Sequence, residues 1–226
     1  IRPGSRWQPP NSRDDLSTVE RLRDGTMRDA AAGWTVTLSI TLLAFLIRIQ
    51  NLGYPKNLVF DETYYAKDAW AILQSGYERN WSEGANDLLA KGDTSGMLDT
   101  PSFVVHPPLG KLLIGVGEHL FGMTPFGWRF AAVVFGSLLV FFTIRLARRL
   151  SRSTLIGAVA GLLLTFDGLA FVMSRLALLD VFQATFAVAA VSALVAEATL
   201  LTALIGQTIT FDAFANGRVD GYFKAG

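Results

Sequence analysis

Four stretches of this chain carry almost only apolar side chains for 17 to 21 residues each: residues 33–49, 126–146, 154–173 and 176–196. Each is apolar almost all round, which a surface helix of a water-soluble domain never is. At roughly 1.5 Å of rise per residue, such runs cross or nearly cross a hydrocarbon core of about 30 Å. The expected fold class is therefore an all-α integral membrane protein with about four transmembrane helices. Composition agrees: of 226 residues 51% are hydrophobic and 17% charged. There are no cysteines and two histidines, which leaves no disulfide framework, no thiol chemistry and no histidine-rich metal site.

The loops set the orientation. Six arginines precede the first span, and Arg145, Arg148, Arg149 and Arg152 crowd the connection between the second and third. Residues 51–125 hold five Lys or Arg against nine Asp or Glu. The positive-inside rule then puts the polar tail (residues 1–32, Pro-containing and read as mobile) in the cytoplasm. The long loop of residues 50–125, and the short link around Arg175, fall on the outer face of the cell membrane.

That outer loop has structure of its own. Between Thr63 and Leu73, residues Ala66, Ala69, Trp70 and Leu73 share one helical face, as expected of a helix lying in the membrane interface. Residues 78–99 are rich in Gly, Asn and Asp and read as irregular. A second interfacial helix is expected over Leu109–Phe121, started by Pro107-Pro108 and too interrupted by Lys111 and Glu118 to span.

Ionisable residues at membrane depth are costly and point to function unless a partner explains them. Asp61-Glu62 follows the first span. A helix cap at Asp61 and a favourable dipole for Glu62 are the plain alternatives, though they explain one carboxylate better than a pair. Arg129 stands at the outer start of the second span, where a snorkelling arginine is ordinary. Arg175 and Asp180, five positions apart, could form a structural ion pair, which is the plain alternative to a functional role. Asp167, inside the third run, needs a partner of its own. With the topology above, Glu62, His106, Lys111, Arg129, Arg175 and Asp180 all map to the outer half of the membrane. Cations and carboxylates gathered there suit a phosphate-bearing lipid and a hydroxyl that must lose a proton.

Four segments, in this order, carry a family resemblance: DETYYAKDAWAIL, HPPLGKLLIG, the arginine of FGWRFAAVVFG, and SRLALLD. Together they resemble the protein O-mannosyltransferases, above all the actinobacterial ones, over roughly residues 30–196. The resemblance implies the N-terminal part of a GT-C transmembrane module. It also implies inverting transfer of mannose from polyprenyl-phosphate-mannose to Ser or Thr hydroxyls of exported polypeptides, beside membrane lipid and the Sec translocon. No nucleic acid is expected. In this family the base is a carboxylate of the D-E motif, which carries over to Asp61 with Glu62 beside it, and the sequence leaves open which of the two takes the proton. Phosphate leaves without a proton, so one base suffices. Arg129 and Arg175, then His106 and Lys111, are the cations expected at the donor phosphate, with Asp180 beside them. A divalent metal between carboxylates and phosphate is chemically open, but nothing in the spacing requires one and none is assigned.

Departures are visible. Tyr64 stands where eukaryotic members have His. Residues 197–226 do not resemble the family's continuation. Family members are much longer, so the chain is expected to be a portion of an enzyme and inactive by itself. Another lipid-phosphate-sugar transferase, of the arabinose or aminoarabinose type, is the first alternative. A non-catalytic membrane binding or transport subunit is the second, although the broken spans and pseudo-repeats of transporters are not seen.

Overall fold

A computed structural model describes residues 12–215. Eight helices and two short strands follow one another: α1 (Ser12–Ile49), α2 (Glu62–Ser75), β1 (Arg79–Trp81), α3 (Ala85–Leu89), β2 (Met97–Pro101), α4 (Pro108–Phe121), α5 (Pro125–Ser151), α6 (Thr154–Phe166), α7 (Gly168–Met173) and α8 (Asp180–Ala215). Segments of α1, α5 and α8, namely Asp29–Ile49, Pro125–Ser151 and Asp180–Thr202, are long and apolar enough to cross a membrane.

Helix α5 is the centre of the bundle, packed against α1, α4, α6 and α8. Its start is written locally. Thr124 accepts a hydrogen bond from Gly127 N at 3.1 Å, and Pro125 occupies the first turn, where its missing N–H costs nothing. It ends at Arg152, held in the left-handed region at φ 55°. Glycines let backbones close in. A Cβ on Gly117 of α4 would strike the Gly127 carbonyl, and one on Gly161 of α6 would strike Ile144.

Two expectations need correction. The third apolar run is not one helix. Asp167 leaves the helical region at φ −61°, ψ 123°, and its Oδ1 accepts from Ala170 N at 2.7 Å, so that α6 stops and α7 begins. Thirteen residues in α6 rise about 20 Å, too little to cross alone. The break is braced by Arg48, a buried residue of α1 that the sequence did not single out. Its guanidinium donates to Leu164 O, among the carbonyls left unpaired at the end of α6, and to Ser174 Oγ beyond α7. The fourth run, expected from Leu176, begins its helix only at Asp180 and continues to Ala215. The atypical segment 197–226 is thus helical through 215, and its remainder lies outside the described residues, as does the start of the tail.

In the outer loop both expected helices are present. The face of α2 bearing Ala66 and Ala69 is buried, and Trp70 packs against the same cluster, so that face covers protein. The segment read as irregular holds the antiparallel pair β1–β2, with Trp81 opposite Met97, and the short α3. Helix α4 is inside out by the standards of a soluble protein. Lys111, Ile114 and Glu118 are buried, while Leu109, Leu112, Val116 and Leu120 form an exposed stripe.

Candidate functional site

Asp61 and Glu62 are adjacent, and the turn that starts α2 sends them to different places. Glu62 is fully buried. Arg129 Nε donates to its Oε1 at 2.8 Å and Arg129 Nη2 to its Oε2 at 2.7 Å, a two-pronged ion pair. Ala177 N donates to Oε1 at 2.9 Å and Val59 N to Oε2 at 3.0 Å. Arg129 is equally committed. Besides Glu62, its guanidinium donates to the carbonyls of Leu52, Pro55 and Asn57, so every N–H has an acceptor. This knot ties together the loop after α1, the start of α2, helix α5 and the segment before α8. The expected contact of Arg129 with a donor phosphate is therefore corrected: no donor on it is left to give.

Asp61 is half-exposed, and among the described residues its carboxylate accepts no hydrogen bond and forms no ion pair; the helix cap that was the plain alternative for it is not made. It lines a cavity of about 610 Å³ between α2 and the β1–β2 hairpin, with Tyr64, Tyr65, Asp68, His106 and Lys111 also on the wall. Asp61, Tyr65 and Asp68 fall there because a spacing of four and then three residues returns to one helical face. Lys111 is buried between Asp68 (2.9 Å) and Glu78 (2.7 Å). Burial pulls the Lys111 ammonium down, but hydrogen bonds to Glu78 and Asp68 more than offset this and its pKa is raised. Burial pushes the Asp68 carboxyl up against the pull of Lys111.

A second cavity of about 270 Å³ shares Tyr65 and His106 with the first and adds Asp180, Leu109, Phe182 and Phe186. The two shared rings meet edge-on at 5.6 Å. Burial first, then the carboxylates of Asp61 and Asp180, push the Tyr65 hydroxyl up, so both acids act on one ring. Arg175 lies elsewhere. It donates to Gln50 O at 2.7 Å, stacks over Phe171, and lines a separate cavity of about 470 Å³ with Gln50 and Asn51. No Arg175–Asp180 ion pair is present among the described residues. Asp61, His106, Lys111 and Asp180 are thus brought together, Glu62 and Arg129 lock beneath them, and Arg175 stands apart.

Sequence reasoning missed Tyr65, Lys67 and Asp68, although the helical period from Asp61 could have found the first and third. It missed Glu78, Trp81 and Ser102 because nothing local marks the hairpin that carries them. Among the described residues no group of three or more His, Asp or Glu is arranged to hold a metal ion.

The family model described as dolichyl-phosphate-mannose-protein mannosyltransferase matches residues 105–211. Relatives named polyprenol-phosphate-mannose–protein mannosyltransferase match more of the chain. That of Mycolicibacterium smegmatis is 43% identical over 84% of this chain and 33% of its own length. That of Mycobacterium tuberculosis is 44% identical over 81% of the chain and 31% of its own length, and that of Corynebacterium glutamicum 36% over 73% and 29%. The chain belongs to the protein mannosyltransferase family. It spans about a third of the length of the curated relatives it matches. No solved structure matches it significantly. With three apolar helices long enough to cross, this is a membrane protein.

Proposed function

We propose that the chain is the N-terminal, base-bearing portion of an enzyme that moves mannose from polyprenyl-phosphate-mannose to Ser or Thr hydroxyls of exported polypeptides. One observation carries the assignment of the base. Of two adjacent carboxylates, Glu62 is saturated by four donors, while Asp61 has no partner among the described residues and stands on the wall of a cavity with room for a sugar. Asp61 takes the proton of the acceptor hydroxyl as its oxygen forms a bond to C1 of mannose. The C1–O bond to phosphate breaks, polyprenyl phosphate leaves with the electron pair, and the anomeric centre inverts. Glu62 and Arg129 are positioning residues that fix the turn carrying Asp61. His106 and Asp180 bound the adjoining cavity, whose apolar wall suits the first units of a lipid chain.

The Lys and Arg distribution supports a cytoplasmic N-terminus and a site on the outer face of the cell membrane, and the exposed stripe of α4 suits contact with lipid. Because the chain has no cysteine, a single Cys at Glu83 is expected to react with an impermeant maleimide on intact cells and one at Ser151 to be protected. Labelling at Ser151 alone reverses the topology. For the chemistry, the segment is exchanged into the full-length Mycolicibacterium smegmatis relative and given labelled polyprenyl-phosphate-mannose and a Thr-rich peptide. Asp61→Asn is expected to lose about 10²–10⁴-fold in transfer rate with donor KM little changed. Full activity in that variant would overturn the assignment.

A further inference from the structure

The cations on the wall of the Asp61 cavity are of two kinds. Arg79 is answered by Asp99 at 2.7 Å and also donates to Leu98 O and Ser75 Oγ; Lys111 is answered by Asp68 and Glu78. Lys67 is different. It lines the same cavity, is half-buried, and among the described residues forms no ion pair and donates no hydrogen bond. Burial pulls its ammonium pKa down, only partly opposed by neighbouring Asp68. An ammonium that has given up water without gaining an anion is unfavourable unless a ligand supplies the anion. The hairpin side of the cavity has a matching shortage. The indole Nε1–H of Trp81 and the hydroxyl of Ser102, both on cavity-lining residues, are buried without a partner among the described residues.

Position fits as well as charge. Lys67 stands six positions beyond Asp61, the N-cap of α2, which is about 9 Å of helical rise, and both line the cavity. An inverting displacement sets the proton acceptor and the leaving group on opposite sides of the anomeric carbon. In inverting glycosidases the two working carboxyls stand about 6.5–9.5 Å apart, which leaves room for the nucleophile between base and sugar. Arg129, whose donors are all used, and Arg175, on another cavity, cannot take this place.

We propose that Lys67, with the Trp81 N–H and the Ser102 hydroxyl on the hairpin side, binds the phosphate of the polyprenyl-phosphate donor in the cavity where Asp61 meets the acceptor. Within the family this assigns the leaving-group contact to a lysine inside the D-E motif segment rather than to an arginine. It rests on the mannosyl-transfer reading and is tested separately from it.

The test uses the same full-length exchange enzyme in membranes, with donor KM, kcat, and inhibition by sugar-free polyprenyl phosphate as readouts. Lys67→Gln is expected to raise donor KM and the inhibition constant of polyprenyl phosphate together by about tenfold or more, the loss of one charge-assisted hydrogen bond. Lys67→Arg is expected to stay within about threefold, and Lys91→Gln, which removes a charge from the same outer loop away from this cavity, within about twofold. A Lys67→Gln enzyme whose donor KM and inhibition constant both stay within twofold overturns the inference and leaves Asp61 as the base. An unmodified exchange enzyme that transfers no mannose removes the underlying reading along with it.

Discussion

The carboxylates at positions 61 and 62 sit one peptide apart yet belong to different regions of the molecule. Beneath α2, the Glu62–Arg129 knot is buried, and each hydrogen-bonding group in it has a protein partner. Above α2, the cavity wall keeps a carboxylate at Asp61, an ammonium at Lys67 and donors at Trp81 and Ser102 that have no partner among the described residues. A membrane-embedded fold can hold charge in either way, but the two ways have different consequences. Saturated charge holds elements in place and has nothing left to offer a substrate. Unsaturated charge does little for the fold and is available for chemistry. Identity of residue type therefore says less about role than the count of partners.

The sharpest way to break the comparison is to unbalance the knot. Glu62→Gln leaves the Arg129 guanidinium buried without its anion, and Arg129→Gln leaves the carboxylate without its cation. Removing one member of a buried pair costs about 3–5 kcal/mol, a large share of the roughly 5–15 kcal/mol that keeps an ordinary domain folded. Both variants are expected to fall sharply in abundance and thermal stability in membranes, and activity is lost with the fold. A stable, well-expressed Glu62→Gln protein that fails only in transfer would move Glu62 to the chemical side of the comparison.

A smaller effect is expected where the two kinds of charge meet. Lys111 is buried like the knot but stands in the cavity wall, its pKa raised because Glu78 and Asp68 together outweigh burial. Folded protein therefore holds this proton more firmly than unfolded protein. The stabilisation is fully present below the ordinary lysine value of about 10.4 and is lost as pH rises through the higher folded-state value. Thermal stability in detergent should decline over that alkaline window more steeply for the parent than for Lys111→Met. Equal slopes would mean that the Lys111 cluster does not titrate as one ion-paired unit.

How much of this was legible in the chain depends on distance in sequence. The apolar runs announced the spans, because lipid demands about twenty apolar residues in series. Pro107-Pro108 announced α4. The break at Asp167 was hidden, since the run of apolar residues passes through it unaltered. What stabilises it is a guanidinium more than a hundred residues earlier, at Arg48. The hairpin of β1 and β2 was hidden for the opposite reason: three and five residues in a Gly- and Asp-rich stretch give no period to detect. In the site, the helical period after Asp61 was present in the sequence, but it was read for the face of Ala66, Ala69 and Trp70, which packs on protein, and not for the cavity face of Tyr65 and Asp68. The distinction between Glu62 and Asp61 was not legible, because it is made by Arg129, Ala177 and Val59 closing on one neighbour and not the other.

The smallest expected effect is the most discriminating. Asp61→Asn should leave stability within about 0.5 kcal/mol of the parent, although it removes the base. Among the described residues the carboxylate has no partner to orphan, and it makes no cap hydrogen bond that Asn would have to replace. Its charge does face the positive end of α2, a favourable interaction of about 0.3–1 kcal/mol that screening reduces. The neighbouring Asp68 and Asp180 carboxylates act in the opposite sense, and removing one of three like charges relieves repulsion around Tyr65. These contributions nearly cancel. Equal melting temperatures for Asp61→Asn and the parent, beside a steep fall for Glu62→Gln, would establish that the boundary between scaffold and reaction runs through a single peptide bond.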